Sequence, residues 1–243
     1  MIINKLNKRA ILLTGTIIPN SVYTEHINCI ERLEEYLFAI NFYLDAFKED
    51  DVYFLENSNF VIDSEQQFVE LKNNKRFYVL KFEKSDKFYE GKGYQEFDMI
   101  DSAVIQLSSQ YDSFIKITGR YIIKNAFKVT NFTCNGIVID LHKNTKIAQT
   151  YFLYFSTKFY IDFFLNEYKK VNDNEGFIIE KIIYQKLILS KCLNKCQLFY
   201  KTPILDGVSG SYKIKLKRNK LKVLIRNIER FIYTIFKVKF FNF

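Results

Sequence analysis

Over its first 120 residues the chain alternates short apolar runs with helical patterns, and three of the runs break off in polar or glycine-marked residues. The run from Ala10 to Gly15 is continuous and apolar and stops at Thr14 and Gly15, as a strand buried on both faces does. Apolar residues then recur at helical spacing (Ile27, Ile30, Leu33, Leu37, Ile40, Leu44), which predicts a long helix over 24–47. A second buried strand over 52–55 breaks at Glu56, Asn57 and Ser58. A helix over 64–72, capped by Asp63 or Ser64, precedes a third strand over 77–82. After a loop at Gly91-Lys92-Gly93, a helix over 97–107 leads to a fourth strand over 113–117, which stops at Thr118, Gly119 and Arg120.

This β-α-β-α-β-α-β order predicts an α/β protein with a mostly parallel central sheet flanked by helices. In such sheets the carboxyl ends of the strands line the ligand crevice, and those are the ends that carry the polar residues here. Only eight glycines occur in the chain, and Gly91, Gly93 and Gly119 fall close together, marking places where backbone approaches something closely. The first 121 residues therefore read as a nucleotide-binding half. The segment 122–212 is less regular, with strands expected over 134–141 and 147–155, helices over 157–168 and 176–189, and a loop over 203–210.

The formal charge of +9 is confined to one end. Residues 213–243 hold ten basic residues and one acid, Glu229, while the preceding 212 hold 26 of each sign. A uniformly basic nucleic-acid binder does not have this distribution, and nucleic acid is not an expected partner. Within this tail Leu221, Leu224, Ile225, Ile228, Phe231, Ile232 and Ile235 form one helical stripe, with Lys217, Arg218, Lys220, Lys222, Arg226 and Arg230 on the remaining surface. A basic amphipathic helix with an aromatic on its apolar face suits an anionic membrane surface, and a terminal helix packing its stripe on the body is the alternative. The division is thus 1–212 as the folded unit and 213–243 as a membrane-associating tail.

The four cysteines have no zinc-ligand spacing, which leaves free thiols in a reducing compartment as the expectation. The first residues have no signal-peptide pattern and no run is long enough to span a bilayer, so the expected location is cytoplasmic. His26 is expected at a surface or cap.

Taken in order, the motifs resemble those of the GT-A-type glycosyltransferases of bacterial capsule, O-antigen and lipooligosaccharide clusters. The match rests on a strand ending in Thr14-Gly15, another ending in Glu56-Asn57-Ser58, Gly-Lys-Gly-Tyr-Gln-Glu over 91–96, and Phe-Ile-Lys-Ile-Thr-Gly-Arg-Tyr over 114–121. It continues with Gln149-Thr150 before an aromatic strand, Glu175 to Glu180 opening a helix, and Gly207-Val208-Ser209-Gly210. The resemblance implies transfer of a sugar from a nucleotide-sugar donor to a growing, lipid-linked surface glycan at the inner face of the cytoplasmic membrane. It implies an inverting reaction with Glu180 as the base that takes the acceptor proton, and Glu175 as the other candidate. Donor contacts would come from Thr14, Gly15, Glu56, Asn57, Ser58, Lys92, Gly93, Glu96, Lys116, Thr118 and Gly119, with Tyr94 and Tyr121 beside them.

One departure matters. The family usually carries Asp-x-Asp at the end of the fourth strand to hold a divalent ion on the diphosphate, and this chain has Thr118-Gly119-Arg120 there. Either no metal cofactor is used and Arg120, with Lys116 or Lys92, compensates the leaving phosphate, or Mn or Mg is held elsewhere, at Asp140 and His142. A nucleotidyltransferase and a non-catalytic peripheral membrane protein are the rival readings.

Overall fold

The computed structural model describes residues 8–18, 28–142, 144–189, 194–206 and 220–236, with side chains throughout except at 88, 220, 222 and 232–236. The segment Gly207–Gly210, His26, Cys192, Lys217 and Arg218 lie outside the described residues, as do the side chains of Lys220, Lys222, Ile232 and Ile235.

Seven strands form one sheet in the order β3-β2-β1-β4-β7-β6-β8. β1 (Arg9–Gly15) lies between β2 (Asp51–Glu56) and β4 (Ser113–Thr118), parallel to both, and β3 (Phe77–Lys81) is parallel to β2. β7 (Ile147–Ser156) runs antiparallel to β4 and to β6 (Ile137–His142), and β8 (Cys196–Gln197) is parallel to β6. Only β7 opposes the rest, so the carboxyl ends of β1, β2, β4 and β6 share one edge. A two-stranded pair, β5 (Ile122–Ile123) with β9 (Leu205–Asp206), stands apart.

The central strands are apolar on both faces because helices cover both. Ala10, Ile11, Leu12 and Leu13 are all fully buried. One face packs on α3 (Lys92–Leu107), α5 (Thr157–Phe163) and α6 (Ile179–Leu189) through Phe97, Ile100, Phe159 and Ile182. The other packs on α1 (Cys29–Ala46), α2 (Gln66–Leu71) and α4 (Ala126–Thr130) through Tyr36, Ile40, Phe68 and Val129. Asn28 caps α1 by accepting from the Ile30 amide at 2.9 Å. At the edge away from the polar strand ends, Arg9 grips Asp50 with two bonds of 3.0 and 2.6 Å.

Several expected elements shift. α3 begins at Lys92, so Lys92 and Gly93 are its first turn and not a loop before it. The stretch expected as one helix over 157–168 divides into α5 and a 3-10 turn at Glu167–Lys170, with Asn166 left-handed (φ 68°) between them. The strand expected over 134–141 begins at Ile137. α7 (Lys220–Phe236) forms where the tail stripe predicts a helix. Cys29, Cys134 and Cys196 are free thiols. Among the described residues no helix is long and apolar enough to cross a membrane.

Candidate active site

The polar strand ends meet at one level of the sheet: Thr14 stands opposite Thr118, and Gly15 opposite Glu56. The β1–β4 contact continues into the turn, where the Gly119 amide donates to the Thr14 carbonyl at 2.8 Å. A Cβ on Gly119 would sit 2.7 Å from that carbonyl oxygen, so a side chain there would push the strands apart.

On the α3 and α6 face, a closed set of polar contacts fills the end of the sheet. Lys116 is fully buried, and its ammonium lies 2.6 Å from Glu96 Oε1, 2.7 Å from the Thr150 carbonyl and 3.2 Å from Thr118 Oγ1. Those contacts account for all three ammonium protons. Glu96 Oε1 also accepts from the hydroxyls of Thr14 at 2.5 Å and Thr118 at 3.2 Å. Lys116 therefore holds Glu96 and the ends of β1 and β4 together. One step further out, the Thr150 hydroxyl donates to Glu180 Oε1 at 3.0 Å from the first turn of α6. Burial, with the nearby negative charge of Glu96 adding to it, raises the Glu180 carboxyl above the ordinary glutamate range. Glu175, the other candidate base, is exposed in the turn Asp173–Glu175.

On the α1 face the edge is cationic. Arg32 and Tyr36 lie on the buried side of α1. One Arg32 terminal nitrogen donates to the Thr16 carbonyl and, at 3.3 Å, to the Tyr36 oxygen, whereas its Nε is buried with no hydrogen-bond partner. Arg120 turns to the same helix and pairs with Glu35 at 2.7 Å. Lys92, at the start of α3, completes the group: burial first, and then the charges of Arg32 and Arg120, lower its pKa. Three cations thus converge beside the Thr14–Gly119 turn, offset by Glu35 and Asp173. Arg32 was not among the residues singled out from sequence. Its signal was a charge set among Leu33, Tyr36 and Leu37 on a face that otherwise predicts burial.

The remaining residues shape this edge from within. Glu56 and Asn57 are buried, and Glu56 Oε1 accepts from the amides of Ile17 at 3.1 Å and Ser58 at 2.9 Å, and from the Ser58 hydroxyl. Asn57 accepts from the Thr16 hydroxyl at 2.8 Å, and Ser58 from the Ile18 amide at 2.9 Å. Glu56, Asn57 and Ser58 thereby fix the loop that presents the Thr16 carbonyl to Arg32. Gly15 packs on Phe54 and Tyr36, and Gly93 on Ile179. Gly91, at φ 134°, admits the Asp173 carboxylate, which accepts from the Lys92 amide at 3.0 Å and so caps α3 from a distant segment. Tyr94 is buried edge-on to Tyr168, and Tyr121 is half-buried edge-on to Tyr151.

The alternative metal ligands have other partners. Asp140 Oδ1 accepts from Arg230 at 2.6 Å, with both side chains buried, and His142 Nδ1 lies 2.8 Å from Arg226 Nη2. Among the described residues no three His, Cys, Asp or Glu side chains gather as a metal site would require. Each of the two residues thus has a guanidinium at one acceptor atom, Oδ1 of Asp140 and Nδ1 of His142.

No family model matches the chain, and no curated protein does. Solved structures do match in shape, among them the following three. One, assigned as a nucleotide-diphospho-sugar transferase from Desulfovibrio desulfuricans G20, shares 11% identity at a TM-score of 0.48 over 78% of each chain. The 4-diphosphocytidyl-2C-methyl-D-erythritol synthase of Anaerococcus prevotii DSM 20548 shares 10% at 0.48, over 91% of this chain and 96% of that one. The bifunctional glycosyltransferase WbbM shares 9% at 0.45, over 79% of this chain and 38% of its own.

Proposed function

We propose that this protein is a glycosyltransferase of the GT-A-like kind that takes its sugar from a nucleotide-sugar donor and passes it to a glycan acceptor. The observation that carries the proposal is the convergence of Arg32, Lys92 and Arg120 at the carboxyl edge of β1 and β4. A buried guanidinium with an unpaired nitrogen, beside two further cations, is costly in a protein interior unless an anion completes the set. A diphosphate supplies two adjacent charged groups for that set, and charge-assisted bonds to it neutralise a leaving nucleoside diphosphate.

Glu180 is the proposed base. Raised by burial, it takes the acceptor hydroxyl proton as the acceptor oxygen bonds to the anomeric carbon. The sugar carbon–oxygen bond to the diphosphate breaks with its electron pair, and the nucleoside diphosphate departs against Arg32, Lys92 and Arg120. The sugar configuration is inverted in this single displacement. Arg32 joins the donor contacts expected at Thr118 and Gly119. Lys116, Glu96 and Thr14 hold the two ends of the site in register. A lipid-linked acceptor and work at the inner face of the cytoplasmic membrane belong to the same proposal and draw their support from the basic tail.

The test is product analysis with radiolabelled sugar nucleotides and a panel of glycan acceptors. Release of a nucleoside diphosphate coupled to glycan growth supports glycosyl transfer. Formation of pyrophosphate from a nucleoside triphosphate and a sugar phosphate would instead identify a nucleotidyltransferase.

A further inference from the structure

α7 is docked with its polar side inward. Arg230 is buried, its guanidinium donating to Asp140 at 2.6 Å and to the Phe199 carbonyl at 2.6 Å. Arg226 meets His142, and Asn227 accepts from the Thr202 amide at 2.8 Å. The apolar stripe on the opposite side stays open: Leu221 is 62% exposed, Leu224 56%, Ile225 49%, Ile228 50% and Phe231 66%. A terminal helix that merely completed the core would do the reverse, burying the stripe and solvating the arginines. An open apolar strip of this size calls for an occupant.

We propose that this stripe is a preformed seat for an anionic lipid bilayer. Charge complementarity selects that occupant: apart from the docked Arg226 and Arg230, the sequence over 213–243 holds eight basic residues against one acid. A surface presenting acyl chains beneath negative headgroups satisfies both the stripe and this charge. The dock also sets orientation. Asp140 and His142 lie in the carboxyl-terminal half of β6, two strands from β4 in the sheet, at roughly 5 Å per strand. The lipid seat therefore flanks the same sheet edge as the cationic group, and a bilayer bound there lies beside that edge. The inference deepens the membrane part of the proposed function, rests on α7 and the charge of the tail, and holds whether or not the chain transfers a sugar.

The experiment is sedimentation of the full chain, without nucleotide, with vesicles of phosphatidylcholine alone or mixed with phosphatidylglycerol. Binding is expected to the mixed vesicles, weakened by salt, and reduced at least about tenfold in Leu224→Ser/Ile228→Ser. The chain has no tryptophan, so Phe231→Trp is a sole reporter whose emission should shift to the blue on those vesicles. Exposed positions are changed in each case, and an unaltered melting temperature shows that the variants fold. Three results would overturn the proposal: no binding to mixed vesicles, equal binding by the serine variant, or self-association of the wild type that this variant abolishes.

Discussion

Lys116, fully buried on β4, places its ammonium 2.6 Å from Glu96 of α3, and the hydroxyls of Thr14 and Thr118 converge on the same carboxylate oxygen. This contact ties the ends of β1 and β4 to the helix that carries Lys92. Replacing Lys116 by Met should lower unfolding free energy by about 3 kcal/mol, because it strands a carboxylate among neutral groups. The double variant Lys116→Met/Glu96→Gln should regain at least about 1 kcal/mol of that, read by urea denaturation. A double variant no more stable than the single would show that the pair does not act as a unit.

The acid limb of turnover should report Glu180. Its carboxyl is raised by burial, so the ionised base is lost as pH falls through a value above the ordinary glutamate range. Glu180→Gln should flatten that limb and cut kcat by on the order of 100-fold or more, while nucleotide binding persists. Undiminished turnover in this variant would remove Glu180 from the chemistry.

Asp101 supplies a stability signature away from the site. It is buried on α3, accepts from the Tyr160 hydroxyl and the Asn166 amide at 2.6 Å each, and is pushed up to about 6 by burial. Folding therefore favours its protonated form. The stability this gives is complete below pH about 3.8 and is lost as pH rises through about 6, a change of about 3 kcal/mol. Asp101→Asn has no such titration. Its stability relative to wild type should improve between pH 4 and pH 7 in parallel urea series, and a difference that stays constant with pH would contradict the assignment.

What could be read from the sequence was local. The buried strands are continuous apolar runs, and their polar ends do meet at one edge, since period and punctuation suffice to place them. Lys92 and Gly93 were misplaced as a loop because the group that caps α3 is Asp173, remote in the chain. β5, β8 and β9 have two residues each and no period to detect. Glu56 and Lys116 are polar residues in strands, and the internal bonds they make were not legible because they depend on which neighbours fold against them. The tail helix was legible as amphipathic, but which side docks was not, because it is decided by Asp140, ninety residues from Arg230.

The central claim is that Arg32, Lys92 and Arg120 form a seat for a nucleoside diphosphate. The most direct measurement is thermal stabilisation by UDP, GDP, CMP and dTDP, each in EDTA and in manganese, for wild type, Arg32→Gln and Arg120→Gln, with every shift taken from that protein's own ligand-free Tm. At a nucleotide concentration 100 times Kd the wild type should gain about 2.7 kcal/mol, seen as a clear rise in Tm with one nucleoside diphosphate in EDTA, and both variants should lose most of it. Stabilisation by none of the four, or equal stabilisation of wild type and both variants, would contradict the account.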